Sequence, residues 1–273
     1  MEHTTLYRKY RPAKFADILG QDHITKVLAK STKENKIAHA YLLSGSRGTG
    51  KTSVARILAR ELGTNQEDIY EVDAASNRGI DDIRELREAV GVLPFSSTYK
   101  VYIIDEVHML TKEAWAALLK TLEEPPRHVI FILATTELDK VPDTIVSRCE
   151  TYVFRKPNDA MLSQEATRIA KSEGYTFEKG AADLIALLGD GSFRDMMSIL
   201  QKVLTYADNK KIALSDVEEI TGSPKESLVR GIITAFAHND IERALEVVHS
   251  LEKENVDIRT FTKLLLSKLR AIL

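Results

Sequence analysis

Short apolar runs alternate with longer amphipathic stretches over the first part of the chain. The apolar runs predict strands at Ala40–Ser44, Ile69–Asp73, Lys100–Ile104, Val129–Ala134 and Thr151–Phe154. Between them, apolar residues recur at helical spacing, which predicts helices at Lys51–Leu62, Asp81–Val90, Thr111–Glu123 and, more briefly, Pro142–Arg148. Strands that alternate with helices are typical of a parallel sheet whose two faces are both covered. We therefore predict an α/β domain with a parallel five-stranded sheet over residues 1–156.

Only helical periodicity is seen after residue 156. Helices are predicted at Asp159–Glu173, Lys179–Leu188, Phe193–Tyr206 and Leu214–Thr221, without a strand among them. Gly222-Ser223-Pro224 marks a second boundary, because Gly and Pro often follow the last turn of a helix. Further amphipathic helices are predicted near Lys225–His238, Asp240–Glu254 and Asp257–Leu273. The pattern predicts a helical domain over residues 157–222 and the start of another over residues 223–273.

The composition is that of an ordinary soluble protein, with 44% hydrophobic and 29% charged residues. The longest uninterrupted apolar run, Val129–Ala134, is far shorter than the ~20 residues that a membrane span needs. The first residues lack the apolar segment of a signal peptide. We expect a cytoplasmic protein with no membrane contact.

Charge and cysteine content limit the possible functions. The formal net charge is −2, whereas DNA-binding domains that act alone are usually strongly basic, so any contact with DNA must be local or created by assembly. Cys149 is the only cysteine, which excludes an intrachain disulfide and a multi-cysteine zinc site. We expect Cys149 to be a small, half-buried hydrophobic residue.

A glycine-rich segment links the first predicted strand to the next predicted helix. Gly45-Ser46-Arg47-Gly48-Thr49-Gly50-Lys51-Thr52 fits the P-loop pattern G-x-x-x-x-G-K-[ST], and it has the strand–loop–helix context that the motif requires. Such a loop turns N–H groups toward phosphate oxygens, and the dipole of the following helix also favours an anion. We predict an ATP site in which Lys51 contacts the β- and γ-phosphates and Thr52 coordinates Mg²⁺. The predicted nucleotide-binding residues here are Gly45, Gly48, Thr49, Gly50, Lys51, Thr52 and Ser53.

Two adjacent carboxylates, Asp105 and Glu106, follow the third predicted strand. A buried strand that ends in two acidic side chains is costly unless they have partners. Together with the P-loop, the pair predicts that Asp105 binds Mg²⁺ and that Glu106 polarises the attacking water. The alternative is an ordinary acidic loop. His108 either senses the nucleotide or has a structural role, and we assign it no part in catalysis.

Polar residues after three later elements leave alternatives open. A hydroxyl of Thr135 or Thr136, after the fourth predicted strand, could hydrogen-bond the γ-phosphate or the attacking water, or these threonines could simply cap the next helix. Arg148 could stabilise the charge on the phosphoryl group of a neighbouring subunit, or be a surface arginine. Arg194 could report on the γ-phosphate, or form a surface pair with Asp195. Residue chemistry alone does not decide between these alternatives.

Together, these segments resemble the tau/gamma subunits of bacterial DNA polymerase III clamp loaders, which are AAA+ ATPases. Besides the P-loop, the similarity rests on Leu6–Pro12, Gly20-Gln21, His39–Leu42, Asp73–Gly79, Tyr102–Leu110, Ala117–Pro126, Ala134–Glu137, Ser147–Cys149 and Gly191–Asp195. The run from Tyr102 to Pro126 is the most specific, and the similarity is weak beyond Gly222.

The resemblance implies roles for residues that spacing alone does not assign. The segment that lies over the adenine in this family corresponds to Arg8, Tyr10, Arg11 and Pro12. Thr136 corresponds to the family's first sensor of the γ-phosphate, and Arg194 corresponds to the second. Arg148 corresponds to the arginine finger that one subunit donates to the ATP of its neighbour.

The resemblance also implies a domain plan and partners. The family has a nucleotide-binding α/β domain, a three-helix lid and a helical collar that holds a pentamer together. Its partners are clamp-loader subunits of the delta and delta-prime type, a sliding clamp, primer-template DNA and the replicative polymerase. The family usually carries a four-cysteine zinc module after the P-loop helix, but Ala59–Asp68 contains no cysteine. We therefore expect ATP and Mg²⁺ as cofactors, and no zinc.

The predicted function is that of a Mg²⁺-dependent ATPase that loads a sliding clamp onto primed DNA. The alternatives are a replication factor C small subunit, a Holliday-junction branch-migration helicase and a non-enzymatic stator subunit, although a stator would be expected to lack Lys51, Thr52 or Asp105. Groups that could bind DNA phosphates without sequence preference, or be ordinary turn residues, are Ser76, Asn77, Arg78, Ser96, Ser97 and Thr98.

Overall fold

The computed structural model describes residues 4–77, 79–207, 209–253 and 256–272. The chain folds as two compact units, one formed by Arg11–Pro157 and the other by the residues up to Tyr10 together with those from Asn158 onward. The predicted first domain starts at residue 1, whereas the structure groups the segment before Arg11 with the second unit. The further division into a lid over residues 157–222 and a collar over residues 223–273 stays a prediction.

Helices and strands alternate in the first unit, and helices dominate the second. The strands are β1 (Ala40–Ser44), β2 (Ile69–Asp73), β3 (Lys100–Asp105), β4 (Val129–Thr135), β5 (Glu150–Val153), β6 (Thr176–Phe177) and β7 (Lys211–Ile212). The helices are α1 (Leu6–Lys9), α2 (Asp22–Lys33), α3 (Lys51–Glu61), α4 (Ile80–Val90), α5 (Lys112–Glu123), α6 (Asp143–Val146), α7 (Asp159–Ser172), α8 (Ala181–Leu188), α9 (Phe193–Tyr206), α10 (Leu214–Thr221), α11 (Glu226–Ala237), α12 (Ile241–Lys253) and α13 (Ile258–Ile272).

Strands β1 to β5 form one parallel sheet in the order β2-β3-β4-β1-β5. This confirms the predicted α/β fold class with a parallel five-stranded sheet. Each strand lies within one residue of its predicted bounds. Because β4 lies between β1 and β3, the carboxyl ends of these three strands lie side by side at one edge of the sheet, where ligands bind in such folds.

Side chains of the central strands alternate between two apolar cores, one on each face of the sheet. On β1, Tyr41 and Leu43 enter one core and Ala40 and Leu42 enter the other. The same alternation occurs on β3 and β4, and every residue of β4 is buried. Burial on both faces explains why these strands are continuous apolar runs in the sequence.

The second unit contains a short parallel strand pair that the sequence did not predict. β6 pairs with β7, so the expectation that no strand follows residue 156 was wrong. Each strand has only two residues and carries no apolar run. Helices α1 and α2 were not predicted either. In the described part of the chain, none of the helices combines the length and the apolar composition of a membrane span.

The segment before Arg11 is held by polar and apolar contacts to the second unit. The Leu6 side chain is buried among the apolar residues of α7 to α10. The Leu6 N–H donates to Gln201 Oε1 at 2.7 Å. Lys9 Nζ donates to Glu173 Oε1 at 2.7 Å, and the Tyr10 hydroxyl donates to the same oxygen. These contacts explain why the first residues belong with the helices from Asn158 onward.

A buried carboxylate fixes the loop between α4 and β3. Asp68 accepts hydrogen bonds from the N–H groups of Phe95 (2.6 Å), Ser96 (2.9 Å) and Ser97 (2.9 Å). Burial by itself would raise the pKa of Asp68, but the hydrogen bonds from Ser96, Phe95 and Ser97 lower this pKa to about 2. The ionised carboxylate therefore stabilises the folded loop.

Replacing Asp68 by Asn should destabilise the first unit, because an amide presents an N–H₂ group where the carboxylate accepts. We expect the free energy of unfolding at neutral pH to fall by about 2 kcal/mol, as for buried hydrogen bonds to a charged group. Since the native pKa is depressed, this stabilisation is present above a pH of about 3.8 and is lost as the pH falls toward about 2.

Urea unfolding of the wild type and of Asp68→Asn at pH 7 and pH 3 tests this expectation. The difference between the two proteins should shrink at the lower pH. Glu67→Gln, at the exposed neighbouring position, serves as the control and should match the wild type at pH 7. An equal difference between wild type and Asp68→Asn at both pH values would contradict the assignment.

Candidate functional site

The glycine-rich loop links β1 to α3 through residues with unusual backbone conformations. Gly45, Gly48 and Gly50 have φ values of 151°, 73° and 103°, which favour glycine. A Cβ added to Gly45 would lie 2.8 Å from both Cβ and the carbonyl oxygen of Phe154, so this position has no room for a side chain. The Thr49 hydroxyl closes the loop by donating to Ser46 O at 2.8 Å.

Lys51, the first residue of α3, carries a buried ammonium group at this loop. Its Nζ atom donates to Gly45 O at 2.8 Å and to Ser46 O at 3.0 Å. Burial lowers the pKa of Lys51, while Glu106 and Asp105 oppose this shift. A positive charge that is held inside a loop at a helix N-terminus favours the binding of phosphate.

The start of α3 meets the end of β3 through one hydrogen bond. The Thr52 hydroxyl donates to Asp105 Oδ2 at 2.7 Å. A hydroxyl and a carboxylate at this distance are oxygen donors of the kind that Mg²⁺ prefers, and Mg²⁺ usually takes its other ligands from phosphate and water. The described residues contain no group of three or more His, Cys, Asp or Glu that could hold a metal ion by themselves. The pair thus fits an ion that arrives with a phosphate.

Glu106 has a left-handed backbone conformation, with φ 49° and ψ 43°. This conformation is uncommon for a residue other than Gly, Asn or Asp, and it persists only where the surroundings hold it. The Glu106 Oε2 atom accepts a hydrogen bond from the Thr136 hydroxyl at 3.0 Å. The structure therefore brings together the predicted water-activating carboxylate and the predicted first sensor, at the ends of β3 and β4.

Arg148 lies on the surface between α6 and β5. Its Nη2 atom pairs with Glu123 Oε1 at 2.7 Å, and its Nη1 atom donates to Thr144 O at 2.7 Å. The guanidinium group is partly exposed. Its predicted action on a neighbouring subunit stays a prediction.

Arg194 and part of the predicted adenine segment lie in the second unit. Arg194 is exposed near the start of α9, and its Cζ atom lies 5.2 Å from the centre of the Tyr7 ring. Arg8 also lies against this ring, at 5.9 Å. Arg11 and Pro12 belong to the first unit, so the structure divides the predicted adenine segment between the two units.

Several predicted DNA contacts have structural partners within the chain. Ser96 Oγ accepts from Asn65 Nδ2 at 2.9 Å, and Ser97 Oγ accepts from the Asn65 N–H at 2.8 Å. Ser76 Oγ donates to Asp73 Oδ2 at 3.3 Å. These contacts favour the ordinary turn role for the serines, and Arg78 lies outside the described residues.

Cys149 is half-buried next to the apolar core of α5 and β4. Burial raises the pKa of its thiol to about 11, so the group is protonated at neutral pH. These properties fit the predicted small hydrophobic residue.

Sequence reasoning did not find the contacts of His108. Its Nδ1 atom contacts the Thr135 hydroxyl, and its Nε2 atom contacts the Glu137 carboxylate.

Sequence comparison identifies relatives over most of the chain. A family model described as "DNA polymerase III, delta subunit" matches residues 20–78 and 63–158. DNA polymerase III subunit tau of Bacillus subtilis is 39% identical, over 94% of this chain and 49% of that protein. DNA polymerase III subunit gamma/tau of Mycoplasma pneumoniae is 36% identical, over 94% of this chain and 41% of that protein. The chain thus spans about half the length of the curated relatives it matches.

Structural comparison identifies the fold. The RuvB Holliday junction branch migration motor of Thermotoga maritima superposes with a TM-score of 0.65 and 23% sequence identity, over 95% of this chain and 91% of that one. This similarity supports an AAA+ fold and, at such an identity, says nothing further about activity. The chain has the AAA+ fold and belongs to the family of DNA polymerase III subunits that includes the gamma/tau proteins.

Proposed function

We propose that this chain is the ATP-hydrolysing motor of a bacterial clamp loader, in which it loads a sliding clamp onto primed DNA. The observation that carries the proposal is the hydrogen bond between Thr52 and Asp105, which unites the phosphate-binding helix and the acidic end of β3 in one site. Lys51 lies in the loop beside this pair, and Glu106 is fixed by Thr136. These groups are the set that phosphoryl transfer to water requires.

Each residue has a distinct part in the proposed reaction. The loop N–H groups and Lys51 bind the β- and γ-phosphates, and Thr52 and Asp105 would hold Mg²⁺, which neutralises charge on the phosphate oxygens. Glu106 accepts a hydrogen bond from a water molecule and polarises it for attack on the γ-phosphorus. The bond from the γ-phosphorus to the bridging oxygen then breaks, which yields ADP and phosphate. Thr136 holds the carboxylate of Glu106 through its hydroxyl.

Two arginines would connect hydrolysis to assembly and to lid movement. Arg148, which is partly exposed, would be donated to the ATP of an adjacent subunit in a pentamer. Arg194 would bind the γ-phosphate and report whether it is present. Since ADP cannot make these contacts, hydrolysis would shift the population between two states of the complex. The predicted lid over residues 157–222 and collar over residues 223–273 are part of this proposal.

The proposed partners are clamp-loader subunits of the delta and delta-prime type, the sliding clamp, primer-template DNA and the replicative polymerase. The names of the relatives support membership of the DNA polymerase III complex. We propose a cytoplasmic location, because the proposed function acts on chromosomal DNA. A non-enzymatic stator is disfavoured, because Lys51, Thr52 and Asp105 are all present. A branch-migration motor is favoured only by a fold similarity at 23% identity.

The proposal is tested by phosphate release from ATP. The chain is assembled with delta-type and delta-prime-type subunits, and turnover is measured with and without a sliding clamp and primed DNA. We expect both additions to stimulate turnover. If neither addition changed the rate of phosphate release, the clamp-loader role would be contradicted, but the proposed ATPase activity would not.

Lys51→Ala should abolish nucleotide binding, because it removes the cation that neutralises the phosphates. Glu106→Gln should instead retain binding and lower turnover by about 10²-fold or more, since it removes the base that polarises water. Binding of a fluorescent ATP analogue and phosphate release measure the two effects separately. Arg47→Ala, at an exposed position of the same loop, is the control and should resemble the wild type. Unchanged binding by Lys51→Ala would refute the proposed site.

Arg148→Ala should leave nucleotide binding by the single chain intact and lower turnover of the assembled complex by about 10³-fold, the typical contribution of an arginine finger. Glu123→Gln is the matched control, because it removes the intrachain ion pair of Arg148 without removing the guanidinium group. If Glu123→Gln lowered turnover as much as Arg148→Ala, the arginine would have only an intrachain role. Normal assembled turnover by Arg148→Ala would equally rule out the donated arginine.

A further inference from the structure

The turn after β3 carries a buried histidine toward the end of β4. Glu106 takes the left-handed conformation, and residues Val107–Met109 form one short 3₁₀ turn. The Met109 N–H donates to Glu106 O at 2.9 Å, which closes this turn. The His108 side chain is only 5% exposed. A buried imidazole two residues after the proposed water-activating carboxylate needs partners, and most of them lie at and just after the end of β4.

Both ring nitrogens of His108 contact polar atoms. Nδ1 lies 3.0 Å from Thr135 Oγ1 and 3.5 Å from Glu106 Oε2. Nε2 lies 3.2 Å from Glu137 Oε1. The side chain is therefore held from both sides, by the last residue of β4 and by the residue that follows Thr136.

The proposed role uses the Nε2–H tautomer of His108. The Thr135 hydroxyl oxygen accepts from the Glu137 N–H at 3.0 Å, and in this tautomer its own proton is directed to His108 Nδ1, 3.0 Å away. Nδ1 is then the acceptor, and Nε2–H donates to Glu137 Oε1. A hydrogen bond from Lys140, with further help from its charge, lowers the pKa of Glu137. Glu137 therefore offers His108 an ionised acceptor.

These contacts form a closed ring around the proposed water-activating group. Glu106 is linked through the 3₁₀ turn to His108, and His108 bonds to Thr135. Thr135 precedes Thr136, whose hydroxyl returns to Glu106 Oε2 at 3.0 Å. Removing one link frees both the turn that bears the carboxylate and the strand end that bears its partner.

We propose that His108 is a positioning residue for hydrolysis, which acts through the Thr135–Thr136 strand end to hold the Glu106 carboxylate toward the attacking water. This inference rests on the proposed ATPase function. His108 does not touch the phosphates in this scheme, so it contributes to turnover and not to nucleotide binding. A misplacement of about 1 Å at a reacting group is enough to cost on the order of 10²-fold in rate.

Three substitutions separate the two contacts of His108. Asn places an amide oxygen close to the position of Nδ1 and can accept from Thr135, whereas Gln reaches the position of Nε2 and contacts Glu137 instead. Ala removes both. We expect His108→Ala and His108→Gln to lower kcat by about tenfold or more, with KM for ATP within about threefold of the wild type. His108→Asn should recover most of kcat.

The measurement is phosphate release by the assembled complex with clamp and primed DNA, together with the melting temperature of each chain. A rise in KM and a fall in melting temperature that accompany the fall in kcat would identify a merely structural role and overturn the proposal. Equal kcat for the Asn and Gln variants would overturn the link through Thr135. Because His108→Ala has the greatest risk of misfolding, Thr135→Val with Thr135→Ser as its conservative partner provides a second route, and only Val should lower kcat.

Lys51→Ala separates this inference from the proposed function. If the wild type releases phosphate no faster than Lys51→Ala, the ATPase proposal fails and the role of His108 fails with it. If release depends on Lys51 but not on His108, only the positioning role is refuted.

Discussion

The hydrogen bond between the Thr52 hydroxyl and Asp105 is the contact on which the candidate site depends. It joins the first turn of α3 to the end of β3, although β4 separates β1 from β3 in the sheet. Because the sheet is parallel, the carboxyl ends of these strands lie at one edge, and the strand order places those of β1, β4 and β3 next to one another. The contact therefore depends on the continuous apolar runs that bury β1, β3 and β4 on both faces, and the chemistry of the site follows from the core of the unit.

The sequence predicted the elements whose pattern is local and strong. β1, β3 and β4 are apolar along their whole length, and long helices such as α9 carry a regular buried face, so both signals survive without tertiary information. β6 and β7 have two residues each, and their pairing is stabilised by residues far apart in the chain, so no window of sequence contains it. The N-terminal segment groups with the second unit through Gln201 and Glu173, which no local pattern indicates.

The candidate site divides in the same way. The P-loop and the Asp105-Glu106 pair could be recognised because each motif is continuous in sequence and its spacing reflects its chemistry. The backbone conformation of Glu106 and the contacts of His108 could not be, because the partners of His108 include Thr135, 27 residues away. Residue type alone left His108 between a sensing and a structural role, and the structure adds that its side chain is buried with a partner for each ring nitrogen.

The phosphate-binding loop is held from both sides by the strands that flank β1. The Gly45 N–H donates to Thr135 O at 3.2 Å on β4, and the Phe154 N–H donates to Ser44 O at 2.7 Å at the end of β5. Gly45 lies so close to Phe154 that it has no room for a side chain. The loop and the end of β5 therefore keep a fixed separation. The strand that follows Arg148 thus borders the loop that binds phosphate.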